Sequence, residues 1–363
     1  MEQEKEITEK SRKRKWWHIP FIILLCVGTV YVARTNSTGN EAGEKGAKGE
    51  VWSQNMLQKC EGTIFGTIYH ITYEHDADLK DSVLSVLNGV DNSLSPFNKN
   101  SVITAVNNNR DTVVDEHFVK VFTLAQTISK ETDGAFDITV APLVNAWGFG
   151  FKNIDGVSDA LIDSLKRIVG MDKVRLENRK VIKEIPQSML DCSAIAKGYG
   201  VDAVGEFLES KGIKNYMVEI GGEVRVRGYN PRGMLWKIGI TKPEDDSLCM
   251  QNDIEQILRI SDASMATSGN YRNFYIKDNK RYAHTIDPRT GYPVQHSILS
   301  STVIADDCAV ADAYATSFMV MGLEEAKKVL ERHKELKAFF IYSVGEDKTA
   351  EWYSPSLEDW FEK

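Results

Sequence analysis

The chain has 363 residues, of which 42% are hydrophobic, 9% aromatic and 26% charged. That composition is globular and excludes a disordered, collagen-like or polytopic protein. The formal net charge of -8 leaves no broad basic field, so no nucleic-acid partner is expected. Cysteines at 26, 60, 192, 249 and 308 form no CxxC pair and no His/Cys cluster, which argues against a zinc site or a disulfide framework.

The start of the chain is strongly asymmetric. Arg12, Lys13, Arg14 and Lys15 precede Trp16, Trp17 and an apolar run over residues 19–33. The run is shorter than the roughly 20 residues of a full span, although a helix starting at Trp16 comes closer. Positive charge before the run favours a cytoplasmic N-terminus with the body outside the cytoplasm. The favoured reading is an uncleaved signal anchor. Cleavage ranks second, and lipidation of Cys26 third because Leu25 precedes it. The domain plan is therefore a basic cytoplasmic tail (1–18), an anchor or signal (19–33), a polar linker (34–50) and a globular body (51–363).

Within the body, residues 63–74 alternate like a strand, and Leu79, Val83, Val86, Leu87 and Val90 recur at helical spacing. Further helices are predicted at 118–130 and at 158–169, the latter with Ser158 as N-cap and Gly170 as stop. Strands are predicted at 216–220, 223–228, 236–240, 254–260 and 297–304. A helix from Ala309, another from Leu323 and a strand at 338–342 complete the pattern. Antiparallel-looking strands interrupted by helices indicate an α+β fold with mixed, largely antiparallel sheets and packed helices.

Four stretches carry more information than their secondary structure needs. In residues 132–150, Asp133-Gly134 reads as a turn followed by a strand in which Phe136, Ile138 and Val140 alternate. Asp137 lies among apolar residues, where a carboxylate needs a partner, yet alone this stretch reads as an ordinary strand. In residues 191–200, Lys197, Gly198 and Gly200 open an amphipathic helix. Small residues and free N–H groups there suit a phosphate, and tight packing explains them equally well. In residues 282–293, Asp287-Pro288-Arg289-Thr290-Gly291 is turn chemistry. His284 beside it is either structural or held near a substrate. In residues 306–322, Asp306 or Asp307 is expected to cap a small apolar helix. Asp312 and Thr316, four apart, put a carboxylate and a hydroxyl on one face, which suits a hard cation such as Mg2+.

The order of these blocks, with GGEVRVRG at 221–228 and the Ser/Thr-Gly loop Thr267-Ser268-Gly269-Asn270 between them, resembles the ApbE family, the FAD:protein FMN transferases. The likeness runs from Phe65 to about Gly322. It implies a single two-lobed catalytic domain of T-fold-like type that binds FAD and Mg2+ on the periplasmic side of a bacterial inner membrane. Such enzymes move the FMN half of FAD onto a threonine hydroxyl of an acceptor protein, here expected to be a membrane redox-complex subunit, and release AMP. The metal ligands implied are the carbonyl of Ala194, the carboxylate of Asp312 and the hydroxyl of Thr316. The FAD contacts implied are Phe65, Phe97, Ala135, Phe136, Asp137, Asp191, Lys197 and Ile286. His284 matches the histidine that assists the acceptor hydroxyl. The sequence departs from the pattern at Phe65, where many members carry Met, and at Ala315, where some carry a further Asp. Rival functions are an FAD pyrophosphatase giving FMN and AMP, and a non-catalytic flavin carrier.

Overall fold

The apolar alternation after residue 56 folds as a hairpin rather than the single strand expected at 63–74. β1 (Leu57–Ile64) pairs antiparallel with β2 (Thr67–Glu74), joined by Phe65 and Gly66. Both turn residues have positive φ, 52° and 75°. This is the pairing a type I′ turn requires, and glycine is at ease in it whereas phenylalanine is not. The computed structural model describes residues 49–152, 157–243, 254–270, 274–277, 280–295, 297–345 and 348–362. The apolar run at 19–33 lies outside them, and no helix of the described residues is long and apolar enough to cross a membrane.

Helices follow the hairpin: α1 (Lys80–Leu94), α2 (Val102–Asn107), α3 (Glu116–Glu131), α4 (Ala141–Ala146) and α5 (Asp159–Lys166). Local caps explain the starts of α2, α3 and α5. Ser101, Asp115 and Ser158 accept from Thr104, Phe118 and Leu161 N–H respectively. The strand expected over 136–140 is absent. Thr132 Oγ1 accepts from Phe136 N at 3.1 Å, and Asp137 Oδ1 accepts from Thr139 N at 2.7 Å. These local bonds curl the segment into turns leading into α4, because short polar side chains compete with ladder pairing for backbone N–H groups.

The rest of the chain runs β3 (Val174–Glu177), β4 (Lys180–Lys183), α6 (Ala196–Ser210), β5 (Tyr216–Ile220), β6 (Glu223–Arg227), β7 (Trp236–Thr241) and β8 (Ile254–Ile260). It continues with β9 (Ala263–Gly269), β10 (Phe274–Lys277), β11 (Lys280–Ala283), β12 (Ile298–Ala305), α7 (Cys308–Met321), α8 (Leu323–Arg332), β13 (Lys337–Gly345) and β14 (Lys348–Tyr353). The Thr267–Gly269 segment, read from sequence as a loop, is thus the end of a strand.

An eight-stranded antiparallel sheet of order β1-β2-β5-β6-β9-β12-β13-β14 organises the fold. Side-chain alternation divides its faces. On β6, Val224 and Val226 pack with Trp236, Ile238 and Leu258 of the β7–β8 hairpin. Glu223 and Arg225 take the other parity and meet α6, through Lys197 and Asp202. On β13, Phe339 and Ile341 join the hairpin side, while Ala338 and Phe340 join the cluster holding Ala311, Ala315 and Phe318 of α7. The helix α7 lies over β9 and β12 and against α6. Its residues there are small, which allows the close approach. The structure is a single mixed domain with antiparallel sheets and packed helices.

Candidate active site

Two helix starts meet over the middle of the sheet. Leading into α6, Asp191 Oδ1 accepts from Ser193 N at 2.8 Å and from Ser193 Oγ at 2.5 Å. Burial raises the Asp191 pKa, with the two Ser193 bonds opposing. Asp191 N donates to Ile138 O at 2.7 Å, which ties this loop to the turn containing Asp137. Cys192 O then accepts from both Ile195 N and Ala196 N, which starts the helix.

The Gly198 N–H, which would ordinarily bond the Ala194 carbonyl, instead donates to Asp312 Oδ2 of α7 at 3.0 Å. Among the described residues no backbone N–H is recorded on the Ala194 carbonyl. This approach needs glycine, because a Cβ at 198 would lie 2.4 Å from Cys308 O and 2.8 Å from Asp312 Cβ. The N–H expected from sequence to be open for a phosphate is therefore already used.

Lys197 bridges two carboxylates. Its Nζ donates to Glu223 Oε1 at 2.5 Å and lies 3.9 Å from Asp312 Oδ1. Burial works against the Lys197 charge, but Asp312 and Glu223 outweigh it and raise its pKa. Burial pushes Glu223 up to about 8, with Lys197 opposing and Asp312 adding to the rise. Glu223 is 1% exposed, and its Oε2 is buried without a partner among the described residues. A second carboxylate oxygen is thus available beside Asp312. One turn along α7, Thr316 Oγ1 bonds Ser268 Oγ at 3.0 Å.

Other implied contacts occupy different surroundings. Phe65 lies over α6, where a Cβ at Gly200 would stand 2.6 Å from its ring. Ala135 and Phe136 are buried. Asp137 spends both oxygens internally, Oδ1 on Thr139 N and Oγ1, and Oδ2 on Met171 N at 3.1 Å. Burial raises its pKa against those bonds. A cavity of about 590 Å³ opens beside it, lined by Lys130, Lys166 and Arg289 among others. Ile286 is buried with Leu143, Trp147 and Ile162. The rings of Phe97 and His284 are linked through one loop. Phe97, 50% exposed, meets Phe151 edge-on at 6.2 Å, and His284 meets Phe149 at 6.4 Å. The neighbour of His284, Thr285, donates to Asn270 Oδ1 at 2.6 Å, two residues beyond Ser268.

Sequence reasoning passed over Glu223, Ser268, Phe149 and Phe151. The aromatic pair sits in Gly148-Phe149-Gly150-Phe151, a Gly/Phe alternation after α4 that could have been read as a half-buried ring-bearing loop. Glu223 gave only the signal of a charged residue opening an otherwise buried strand.

The fold is shared with solved flavin transferases. The flavin transferase ApbE from Vibrio cholerae superposes with a TM-score of 0.75 at 35% identity, covering 84% of this chain and 99% of that one. The apo flavinyl transferase ApbE of Pseudomonas stutzeri gives a TM-score of 0.75 at 28% identity over 84% and 96%. By sequence, the FAD:protein FMN transferase of Vibrio cholerae serotype O1 is 37% identical over 317 residues, 83% of this chain and 92% of the relative. That of Escherichia coli K12 is 35% identical over 312 residues, 82% and 87%. A profile of the ApbE family matches residues 65–340. The chain belongs to the ApbE family.

Proposed function

We propose that the protein is an FAD:protein FMN transferase that uses Mg2+ to move FMN from FAD onto a threonine of an acceptor protein. The relatives support FAD as substrate and a protein as acceptor. The observation that carries the mechanism is the meeting of Asp312 with the α6 start, where Gly198 N–H donates to Oδ2 and leaves the Ala194 carbonyl without a backbone donor among the described residues.

Ala194, Asp312 and Thr316 offer a carbonyl, a carboxylate and a hydroxyl, all hard oxygen donors of the kind Mg2+ takes beside substrate phosphates and water. Among the described residues no three His, Cys, Asp or Glu side chains group as a metal site. A single-carboxylate site with phosphate as co-ligand therefore suits the donors better than an all-protein cage. When bound, Mg2+ would neutralise charge on the phosphoryl oxygens.

The chain's own groups supply the rest. Lys197 holds positive charge at the phosphate end. Phe65 and Phe97 offer ring faces to the flavin or adenine. His284 takes the proton of the threonine hydroxyl as its oxygen forms a new bond to the FMN phosphorus. The bond from that phosphorus to the bridging oxygen breaks, and AMP leaves with that oxygen. Asp191 Oδ2, free of the Ser193 bonds, can accept from a ligand N–H or O–H. Asp137, already satisfied, shapes the turn that carries Ala135 and Phe136.

Residues 19–33 tether the body to the membrane, with residues 51–363 on the extracytoplasmic side, where a membrane redox-complex subunit can present its threonine. The charge asymmetry of the N-terminus supports this orientation. A reporter fused after residue 363 that works only in the cytoplasm would overturn it.

Incubation with FAD, Mg2+ and an acceptor domain bearing a threonine motif tests the reaction. Fluorescent FMN covalently held on the acceptor, with equimolar AMP, is expected. Free FMN and AMP at the same rate with or without acceptor would establish the pyrophosphatase instead.

A further inference from the structure

Neither α6 nor α7 is capped by its own sequence. The N-cap position of α6 is Ile195, which has no capping side chain. The N-cap of α7 is Asp307, in the extended conformation a cap residue adopts, yet its side chain makes no cap bond. Its Oδ1 instead lies 3.3 Å from Arg225 Nη1. The expectation that Asp306 or Asp307 caps α7 is thus corrected, and the caps are exchanged between the helices.

Asp202, on α6 one turn beyond Gly198, accepts from Cys308 N on Oδ1 at 2.9 Å and from Ala309 N on Oδ2 at 2.8 Å. Asp312, on α7 one turn beyond Cys308, accepts from Gly198 N. Each helix start is therefore closed by an aspartate from the second turn of the other. Asp202 is itself held from behind by Arg225 of β6, whose Nη1 donates to Oδ1 at 2.8 Å. The same guanidinium reaches Tyr216 Oη at 3.1 Å and Glu209 Oε1 at 3.2 Å. Asp202 is 4% exposed and Arg225 also 4%.

We propose that Asp202 is a positioning residue for the metal site: its two bonds to the start of α7, with the return bond from Gly198 to Asp312, fix the spacing between the Ala194 carbonyl and the Asp312 carboxylate. This rests on the metal reading above. The ligands come from both sides of the α6–α7 contact, so any shift of one helix along the other changes the gap between them. A carboxylate suits the task because it presents an acceptor oxygen to each of two adjacent N–H groups. An amide has only one acceptor oxygen and must turn its NH2 toward the second N–H.

The test compares four variants of the full chain. MgCl2 is titrated calorimetrically into protein saturated with FAD and lacking acceptor, and turnover is measured against Mg2+ in parallel. Asp202→Asn is expected to weaken Mg2+ binding by about tenfold or more, the range found when a partner behind a metal ligand is lost. Its turnover at saturating Mg2+ should stay within about twofold of the parent, because no group that touches substrate has changed. Leu208→Ala, a fully buried change near the far end of α6, controls for lost stability and should lower the melting temperature with Mg2+ binding unchanged. Should Asp202→Asn fail to fold, Arg225→Lys carries the test, with a shift in the same direction.

Unchanged Mg2+ binding in the folded Asp202 or Arg225 variant overturns the proposal. An equal loss in Leu208→Ala overturns it too, since Asp202 would then matter only for stability. Asp312→Ala is the reference arm. If it binds Mg2+ as the parent does, the metal reading itself fails. If it loses binding while Asp202→Asn does not, only the positioning role fails.

Discussion

The backbone N–H of Gly198 donates to the Asp312 carboxylate at 3.0 Å, across 114 residues of sequence. One bond thereby joins a glycine in the first turn of α6 to the carboxylate proposed to hold the metal. Its first consequence is steric. With Cys308 O only 2.4 Å from a Cβ at 198, Gly198→Ala must push α6 and α7 apart. We expect a loss of about 3 kcal/mol in stability, the upper range for overpacking, together with loss of Mg2+-dependent turnover. Chemical denaturation and a Mg2+ titration on the same sample measure both. A stable, active alanine variant would contradict the close approach.

The metal donors should rank by charge. Asp312→Ala removes the assigned carboxylate and should abolish Mg2+-dependent turnover. Thr316→Ala should be intermediate and partly recovered by excess Mg2+, because water can take the vacant position. Ala194→Ser should be mild, since the carbonyl survives. Turnover against Mg2+ in the three variants gives the order directly. Unchanged metal dependence in Asp312→Ala would place the ion elsewhere.

His284→Ala should lower FMN transfer by about 10²-fold or more while FAD still binds, as expected on removing a general base. Separate measurements of FAD binding by fluorescence and of acceptor labelling divide the two effects. Near-parental labelling would make His284 a turn residue.

Phe65 occupies a left-handed position at φ 52°, which phenylalanine tolerates poorly. Asn is at ease there, so Phe65→Asn should leave the melting temperature level or higher despite the lost packing on Gly200. FAD affinity should fall several-fold if the ring serves the flavin. Thermal melts beside FAD titrations read both quantities, and unchanged FAD affinity would leave the ring a purely structural part.

Acid stability should depend on Glu209. Burial tends to raise its pKa, but the Tyr216 hydroxyl bond and the Arg225 and Arg227 charges prevail and hold it below the ordinary 4.5. A depressed carboxylate adds stability above its unfolded pKa and loses it as pH falls through the folded one. Melting temperature should therefore fall below about pH 4.5 in the parent, and Glu209→Gln should show a flatter acid limb. Identical limbs in the two proteins would remove Glu209 from the acid transition.

What the sequence revealed, and what it hid, divides by the range of the forces involved. α5 was legible because its cap, Ser158, lies beside it, whereas the Asp115 cap of α3 went unread and the helix starts two residues before the expected Phe118. β5 was legible as a largely apolar run, and β8 from Ile254, Ile257, Leu258 and Ile260 set among polar residues. β9 was not, because Ala263-Ser-Met-Ala-Thr-Ser-Gly269 is small and polar where it must admit α7. Residues 136–140 showed strand alternation, yet Thr132 and Asp137 captured the N–H groups a ladder needs. At the site, Asp312 and Thr316 could be paired from their four-residue spacing. Asp202 and Glu223 could not, since their partners lie 106 and 26 residues away and only the folded sheet brings them together.

The exchanged caps also bear on how the protein comes into being on the ribosome. α6 emerges first, carrying Ala194, Lys197, Gly198 and Asp202, but the Gly198 N–H meets no Asp312 until the last third of the chain has been made. A nascent chain ending before Asp306 contains one of the three proposed ligands of the ion, Ala194, and none of α7. On that proposed ligand set, synthesis order alone keeps a partial product from assembling the ion's site.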